Sequence, residues 1–236
     1  QLTYLNMRNG VTDGLTGFDA RNNNLSCIET LDPDYATANW TYANGNIDEG
    51  TTFSVVCTPE GYTFVPDDNF EQALIDLGYD DVIDDYVLTE NISGVTSLDV
   101  SSKEISDLMG IQDFTALADL RCQINQLTSL DVSSNTVLTF LWCGSNQLTS
   151  LDVSSNTALT TLWCYSNQLT SLDLSSNTAL TELRCYTNSL TSLDVSSNTA
   201  LIRLECNVNQ LTYLNMRNGV TDSLTTFNAT DNPLTC

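Results

Sequence analysis

The chain has 236 residues, 41% of them hydrophobic, with 30 acidic against 7 basic side chains and no histidine, for a formal charge of -23. So acidic a surface repels polyanions, which excludes nucleic acid and acidic membrane surfaces as partners. No apolar run reaches the roughly 18 residues of a membrane span, and the missing imidazoles remove the commonest general base and a principal zinc ligand.

Residues 1–13 (QLTYLNMRNGVTD) are identical to 210–222, and the likeness continues to Cys27 and Cys236 with seven differences in 27 positions, Gly14 against Ser223 and Asn24 against Pro233 among them. A block of roughly 209 residues has therefore been duplicated, and the copies have diverged. No signal peptide opens the chain and Gln1 already lies inside a repeat motif, so the chain is expected to be part of a longer protein. Within the block a shorter unit recurs. Cysteines at 122, 143, 164, 185 and 206 lie 21 residues apart inside L-x-x-L-x-C-x-x-N, as in 159–167. The leucine pattern returns once more in each unit: LTTLWCYSNQ at 159–168 is followed by LTSLDLSSNTA at 169–179. This nesting predicts a solenoid with two short strands per turn, because no single unit could bury its apolar face alone.

The motif L-x-x-L-x-C-x-x-N-x-L-x-x-L-D-V-x-x-N-T-x resembles the nested leucine-rich-repeat class named IRREKO, found in secreted bacterial proteins, and the likeness covers 117–221. It implies a β-rich solenoid of parallel strands on an extracellular or cell-surface protein. Residues 25–93 are similar to the caps that flank such solenoids.

In chain order, residues 1–27 then read as the last turn of a preceding solenoid and 28–57 as its C-terminal cap, since an open edge of parallel strands invites pairing. Cys27 and Cys57 bracket this cap. In the secreted setting implied by the resemblance they are expected to form a disulfide worth roughly 3–4 kcal/mol, and Cys236 occupies the place of Cys27 in the second copy. A linker at 58–62 (TPEGY) leads to an N-terminal cap at 63–94. Its run VPDDNFEQALIDLGYDD predicts a helix: Asp68 and Glu71 have capping-box spacing, Pro66 precedes them, Phe70, Ala73, Leu74 and Leu77 make one apolar face, and Gly78 ends it. That face is expected to cover the first turn of the new solenoid. The cluster Asp80, Asp81, Asp84 and Asp85 reads as a solvated acidic loop, with a calcium site as the alternative.

The solenoid itself spans 95–236, lacks its own C-terminal cap in this reading, and begins with a degenerate turn at 95–114 that has a longer outer connection. In later turns, alternation points Leu162 and Cys164 inward and Thr161, Trp163 and Tyr165 outward. The five ladder cysteines point inward, are odd in number and lack C-x-x-C spacing, so they read as buried free thiols rather than a disulfide framework or a metal site. Asn125, Asn146, Asn167, Asn188 and Asn209 fall where each strand ends, and their amides are placed to bond the turn backbone.

The outward positions form two unlike faces. One repeats serine and aspartate, with Asp131, Asp152, Asp173 and Asp194 in a column. Such a column costs about 1 kcal/mol per neighbouring pair in water. Hydrogen bonds from the flanking serines are expected to offset this, with weak calcium binding along the column as the alternative; no other cofactor is implied. The other face varies. Phe140, Trp142, Trp163, Tyr165 and Tyr186, with Arg184 beside them and Arg203 one turn on, predict an exposed apolar patch of interface type. Cross-strand stacking that only stabilises the sheet is the plainer alternative.

No nucleophile and base stand at a recognisable spacing, so the chain reads as non-catalytic. The function expected first is an extracellular structural protein, with tandem or head-to-tail units building a fibre or surface filament and copies of the chain as partners. The alternative is a surface adhesin or receptor that binds a glycan or a cell-surface protein through the aromatic face. Ser223, in Asp222-Ser223-Leu224, resembles the glycan acceptor of some secreted bacterial glycoproteins, and Asn24, Asn39, Asn91 and Asn228 open N-x-S/T sequons.

Overall fold

The computed structural model describes residues 1–8, 10, 12–15, 17–219 and 222–235, so Cys236 lies outside the described residues. The chain divides into two compact units, Gln1–Glu60 and Gly61–Cys236.

In the larger unit each turn contributes one short strand to a parallel sheet. Its order follows the chain: Ser97–Asp99, Asp119–Arg121, Phe140–Trp142, Thr161–Trp163, Glu182–Arg184, Arg203–Glu205 and Thr226–Asn228. Pairing is in register, so Leu98, Leu120, Leu141, Leu162, Leu183 and Leu204 stand side by side and end on Phe227. Those six leucines are fully buried, as are Cys122, Cys143, Cys164, Cys185 and Cys206 in the next inward column, all of them unbonded thiols. Burial pushes the thiols up, to about 12 for Cys122 and Cys164 and about 11 for Cys206.

After each cysteine the chain must reverse, and the asparagines control that reversal. Asn146 Nδ2 donates to the carbonyl of Cys143 in its own turn (3.1 Å) and of Cys122 in the preceding one (3.0 Å), while its Oδ1 accepts the Leu127 N–H at 3.0 Å. Asn167, Asn188 and Asn209 repeat the pattern with Leu148, Leu169 and Leu190. In the smaller unit Asn23 reproduces part of it, donating to Ala20 O at 3.0 Å and accepting from Leu2 N at 2.8 Å. The residue before each ladder asparagine is left-handed: φ is 57° at Ile124, 56° at Ser145, 51° at Ser166, 55° at Thr187 and 54° at Val208. For the β-branched members this conformation is strained.

A second amide column, unforeseen from the sequence, lies on the other side of the core. Asn135, Asn156, Asn177 and Asn198 are fully buried. Asn156 Nδ2 donates to Val132 O and Asn135 O, and Asn177 to Val153 O and Asn156 O, all at 2.9–3.0 Å. Their Oδ1 atoms have no hydrogen-bond partner among the described residues.

The second strand expected in every turn is regular at a single step. Ser192–Asp194 pairs with Tyr213–Asn215, and otherwise, among the described residues, only the lone bridge Asp131↔Asp152 forms on that side. Asp131, Asp152 and Asp173 each face a like charge one turn on, and the lone bridge forms between two of them, Asp131 and Asp152. At the last step Asn215 stands in the column instead, and its Nδ2 donates to Asp194 Oδ2 at 3.0 Å. In the degenerate first turn, Ser97–Asp99 belongs to the main sheet.

Ahead of the sheet, Tyr62–Phe64 pairs antiparallel with Tyr86–Leu88 around the helix Asp68–Asp76. Tyr62 is thus a strand residue, which shortens the expected linker. The helix is capped by Asp67 and not by Asp68. Asp67 Oδ1 accepts the N–H groups of Asn69 and Phe70 at 3.0 Å, and Oδ2 takes Ser106 N (2.8 Å), Ser106 Oγ (2.6 Å) and Asp107 N (3.0 Å). One carboxylate therefore ends the helix and ties it to the first turn of the solenoid. Phe70, Ala73 and Leu74 enter the same core as Leu98 and Leu120, Phe70 standing 6.4 Å from Phe114 between ring centroids. Leu77, expected on that face, is 45% exposed because it is the C-cap residue, and Gly78 follows at φ +80°. Glu71 is no capping-box partner; it is buried and accepts the N–H groups of Asp84 and Tyr86.

The smaller unit has a parallel sheet of Asn6–Met7, Cys27–Thr30 and Thr52–Ser54, with the helix Pro33–Asn39 beside it. Cys27 and Cys57 are joined by a disulfide with Cα atoms 5.7 Å apart. Ala20, Leu25, Ile28 and Ile47 form its core, and Phe18 stacks on Trp40 at 4.4 Å.

Two outcomes are expected. Asp67→Ala leaves the buried Phe70 N–H and the half-buried N–H groups of Asn69, Ser106 and Asp107 without their acceptor and should cost about 3 kcal/mol in urea unfolding. Desolvation alone would raise the Asp67 carboxyl, but hydrogen bonds from Ser106, Phe70 and Asp107 outweigh it and hold it below its usual range. Its contribution should therefore be complete above the ordinary carboxylate pKa and lost as pH falls through the lowered folded value, a loss absent from the variant. Ile124→Asn, at an exposed left-handed position, should instead raise stability by about 1 kcal/mol in the same assay.

Candidate ligand-binding face

The outward positions of the main sheet form a grid of one row per turn, two positions on each strand and, in the middle rows, a third just beyond it. Asp119 and Arg121 fill the first full row, then Phe140 and Trp142 with Gly144 beyond, Thr161, Trp163 and Tyr165, Glu182, Arg184 and Tyr186, and finally Arg203 and Glu205. In-register pairing brings equivalent positions against one another, so Trp142 stands opposite Trp163 and Trp163 opposite Arg184.

The rings fill the space between rows by packing on each other. Phe140 meets Trp163 edge-on at 5.2 Å, Trp142 meets Trp163 edge-on at 4.8 Å, and Tyr165 stacks on Tyr186 at 4.7 Å with the planes 3° apart. Trp142 Nε1 donates to Tyr165 Oη at 3.0 Å. Gly144 makes this possible: a Cβ there would lie 2.9 Å from the Tyr165 ring. The Arg184 guanidinium sits 4.2 Å from the Trp163 ring centroid and Arg121 lies 5.2 Å from Phe140. The five aromatics are accordingly half-buried, where the sequence predicted an exposed patch; each ring is covered in part by the next.

Charges close the cluster on both sides. Arg121 pairs with Asp119 at 2.9 Å. On the far side Arg184 and Arg203 alternate with Glu182 and Glu205 in a four-membered network, at 2.9 and 3.8 Å for Arg184 and 3.2 and 3.6 Å for Arg203. Arg203 is thus a rim residue, neutralised locally. Trp163 Nε1 is buried and has no hydrogen-bond partner among the described residues.

The serine–aspartate side is different in kind. Asp131, Asp152, Asp173 and Asp194 each accept the N–H of the serine two residues on, at 2.8–2.9 Å, and hydrogen bonds from those serines hold the four carboxyls below their usual range. Three acidic groups do not converge in this column. Among the described residues they converge at Asp68, Glu71 and Asp85. Ser223 is exposed.

Residues 136–177 match the family model described as leucine-rich repeats, in two copies. Internalin J of Listeria monocytogenes serotype 4b (strain F2365) is 40% identical over 86 residues, which are 36% of this chain and 9% of that protein. The solved functional domain of internalin J from Listeria monocytogenes, which includes a cysteine ladder, is 31% identical, with 77% of this chain and 50% of that one covered at a TM-score of 0.43. A leucine-rich-repeat protein of Leptospira interrogans superposes with a TM-score of 0.58 at 24% identity, covering 62% of this chain and 40% of its own, and internalin C2 of Listeria monocytogenes with 0.56 at 18%, covering 77% and 93%. The chain therefore spans about a tenth of the curated relative and half of the solved internalin J domain. Residues 136–177 are leucine-rich repeats, and the chain has the fold of the Leptospira protein and of internalin C2.

Proposed function

We propose that this chain is an extracellular binding module of a bacterial surface adhesin, and that it holds a protein partner on the face built by Phe140, Trp142, Trp163, Tyr165 and Tyr186. The observation that carries the reading is where the aromatics fall. Equivalent positions in flanking turns hold Asp119, Arg121, Arg203 and Glu205, so the solenoid does not need rings at these places, yet the middle rows concentrate them. An aromatic and arginine centre ringed by charge is the usual make-up of a protein-binding hot spot. A sugar would need an open ring face, whereas Trp163 is covered by Arg184 and met by Trp142, and Tyr165 and Tyr186 cover each other. The Cys27–Cys57 disulfide fits an oxidising extracellular compartment, and the likeness to internalin J fits a bacterial surface protein.

On the same reading the repeats belong to the nested 21-residue class, the helix Asp68–Asp76 and its hairpin cap the solenoid at its start, and residues 1–27 with 28–57 are the last turn and cap of a preceding solenoid. The hydrogen bonds of Asn23 support that last assignment. The filament reading of the duplicated block finds no supporting observation in the fold or in the relatives, and the adhesin reading replaces it.

The test is to probe the fluorescently labelled chain on arrays of extracellular proteins and of glycans. Binding should appear on the protein array and fall at least tenfold for Trp142→Ala and Trp163→Ala with melting temperatures still cooperative. Gly144→Val, which displaces the Tyr165 ring, should weaken the same signal. Binding that survives all three substitutions would sink the proposed face, and a signal confined to glycans would reassign the ligand.

A further inference from the structure

Away from the aromatic face, the helix Asp68–Asp76 and the loop before strand Tyr86–Leu88 bring three carboxylates together. One carboxylate oxygen each from Asp68, Glu71 and Asp85 lies within 4.8 Å of the others. Asp68 and Asp85 are exposed, but Glu71 is fully buried. Its Oε1 accepts the N–H groups of Asp84 (3.0 Å) and Tyr86 (3.1 Å), whereas Oε2 is buried with no hydrogen-bond partner among the described residues. A second buried carboxylate oxygen, Asp80 Oδ2, is equally unpartnered in the same loop. An unpaired buried carboxylate oxygen is costly, and a cluster of like charges adds to the cost. Something positive would remove both penalties, and among the described residues Lys103 pairs with Asp76 at 2.8 Å and no lysine or arginine forms an ion pair with Asp68, Glu71 or Asp85.

We propose that Asp68, Glu71 and Asp85 form a binding site for a hard divalent cation, calcium by preference, that pins the 80–86 loop to the helix. All three donors are oxygens, which suits calcium or magnesium and not the softer transition metals. Calcium holds oxygens at 2.3–2.6 Å, so donors up to roughly 4.8 Å apart can share one ion, and its irregular coordination tolerates a site completed by water. Asp85 supports the arrangement because its backbone is left-handed, φ 69°, which turns the loop back over the helix. The site is distinct from the aspartate column, whose carboxylates are each engaged with a serine N–H.

The experiment uses the full chain stripped with a chelator and titrated with calcium chloride at pH 7.5, followed by calorimetric binding and thermal melting. One tight equivalent should bind and raise the melting temperature by several degrees, with magnesium at least tenfold weaker. Asp68→Asn and Asp85→Asn are surface changes that preserve the fold, asparagine being well tolerated at positive φ; both should weaken that equivalent at least tenfold, and Glu71→Gln should abolish it. An unsubstituted chain that does not respond to calcium, or three variants that bind it as tightly as the unsubstituted chain, would overturn the site.

Discussion

The structure depends on a hydrogen bond that no turn can complete alone. From Asn146 on, each ladder asparagine serves the carbonyl of its own cysteine and that of the cysteine one turn earlier, and it receives an N–H from that earlier turn; Asn125 finds Val100 O in place of the earlier cysteine. Each such bond is worth about 1 kcal/mol net, and a buried group left without one costs 1–3 kcal/mol. The set outweighs the strain of placing Ile124, Thr187 and Val208 in the left-handed region, about 1 kcal/mol apiece. The register is thereby locked. A segment one residue longer would displace the amide from both carbonyls at once, which explains why the spacing stays at 21 residues from Cys122 to Cys206.

With register fixed from inside, the outer surface is free to differ between turns, and the two sides use that freedom differently. On the main sheet, strands pair closely and outward side chains touch across rows, so one change is felt by its neighbours: Gly144 exists in a place where Tyr165 lies over the backbone. On the serine–aspartate side the carboxylates accept hydrogen bonds from serines of their own turn, and among the described residues regular backbone pairing forms at the step where Asn215 donates to Asp194.

Much of this was legible in the sequence because period carries it. The inward leucines and cysteines, the asparagine turns and the Cys27–Cys57 bridge all follow from spacing or from the family likeness. What was not legible depends on competition between nearby groups of the same kind. Asp67 and Asp68 are equal as caps in sequence, and only the additional N–H groups of Ser106 and Asp107 favour the first. The alternation that predicts a second strand is present in every turn, yet among the described residues regular pairing forms at one step, and the pattern holds no signal for which. The buried column at Asn135, Asn156, Asn177 and Asn198 had a signal in the repeated S-S-N-T, hidden because the motif reads equally well as a solvated turn. The aromatics were placed on the correct face and given too much exposure, since ring-on-ring packing across rows is a property of the assembled sheet.

The column of buried thiols has a consequence for the chemistry of maturation. A sulfhydryl held at about 12, as at Cys122 and Cys164, is ionised in only about one molecule in 10⁵ at neutral pH, and it is shielded from solvent as well. Since the thiolate is the species that attacks a disulfide, the folded ladder exchanges with the Cys27–Cys57 bond far more slowly than exposed thiols would. The unfolded chain has no such protection: its thiols ionise near the ordinary value and can attack any bridge already made. Oxidative maturation is therefore ordered by the fold itself, and a chain that closes its solenoid before meeting an oxidant leaves one productive pairing among its described cysteines.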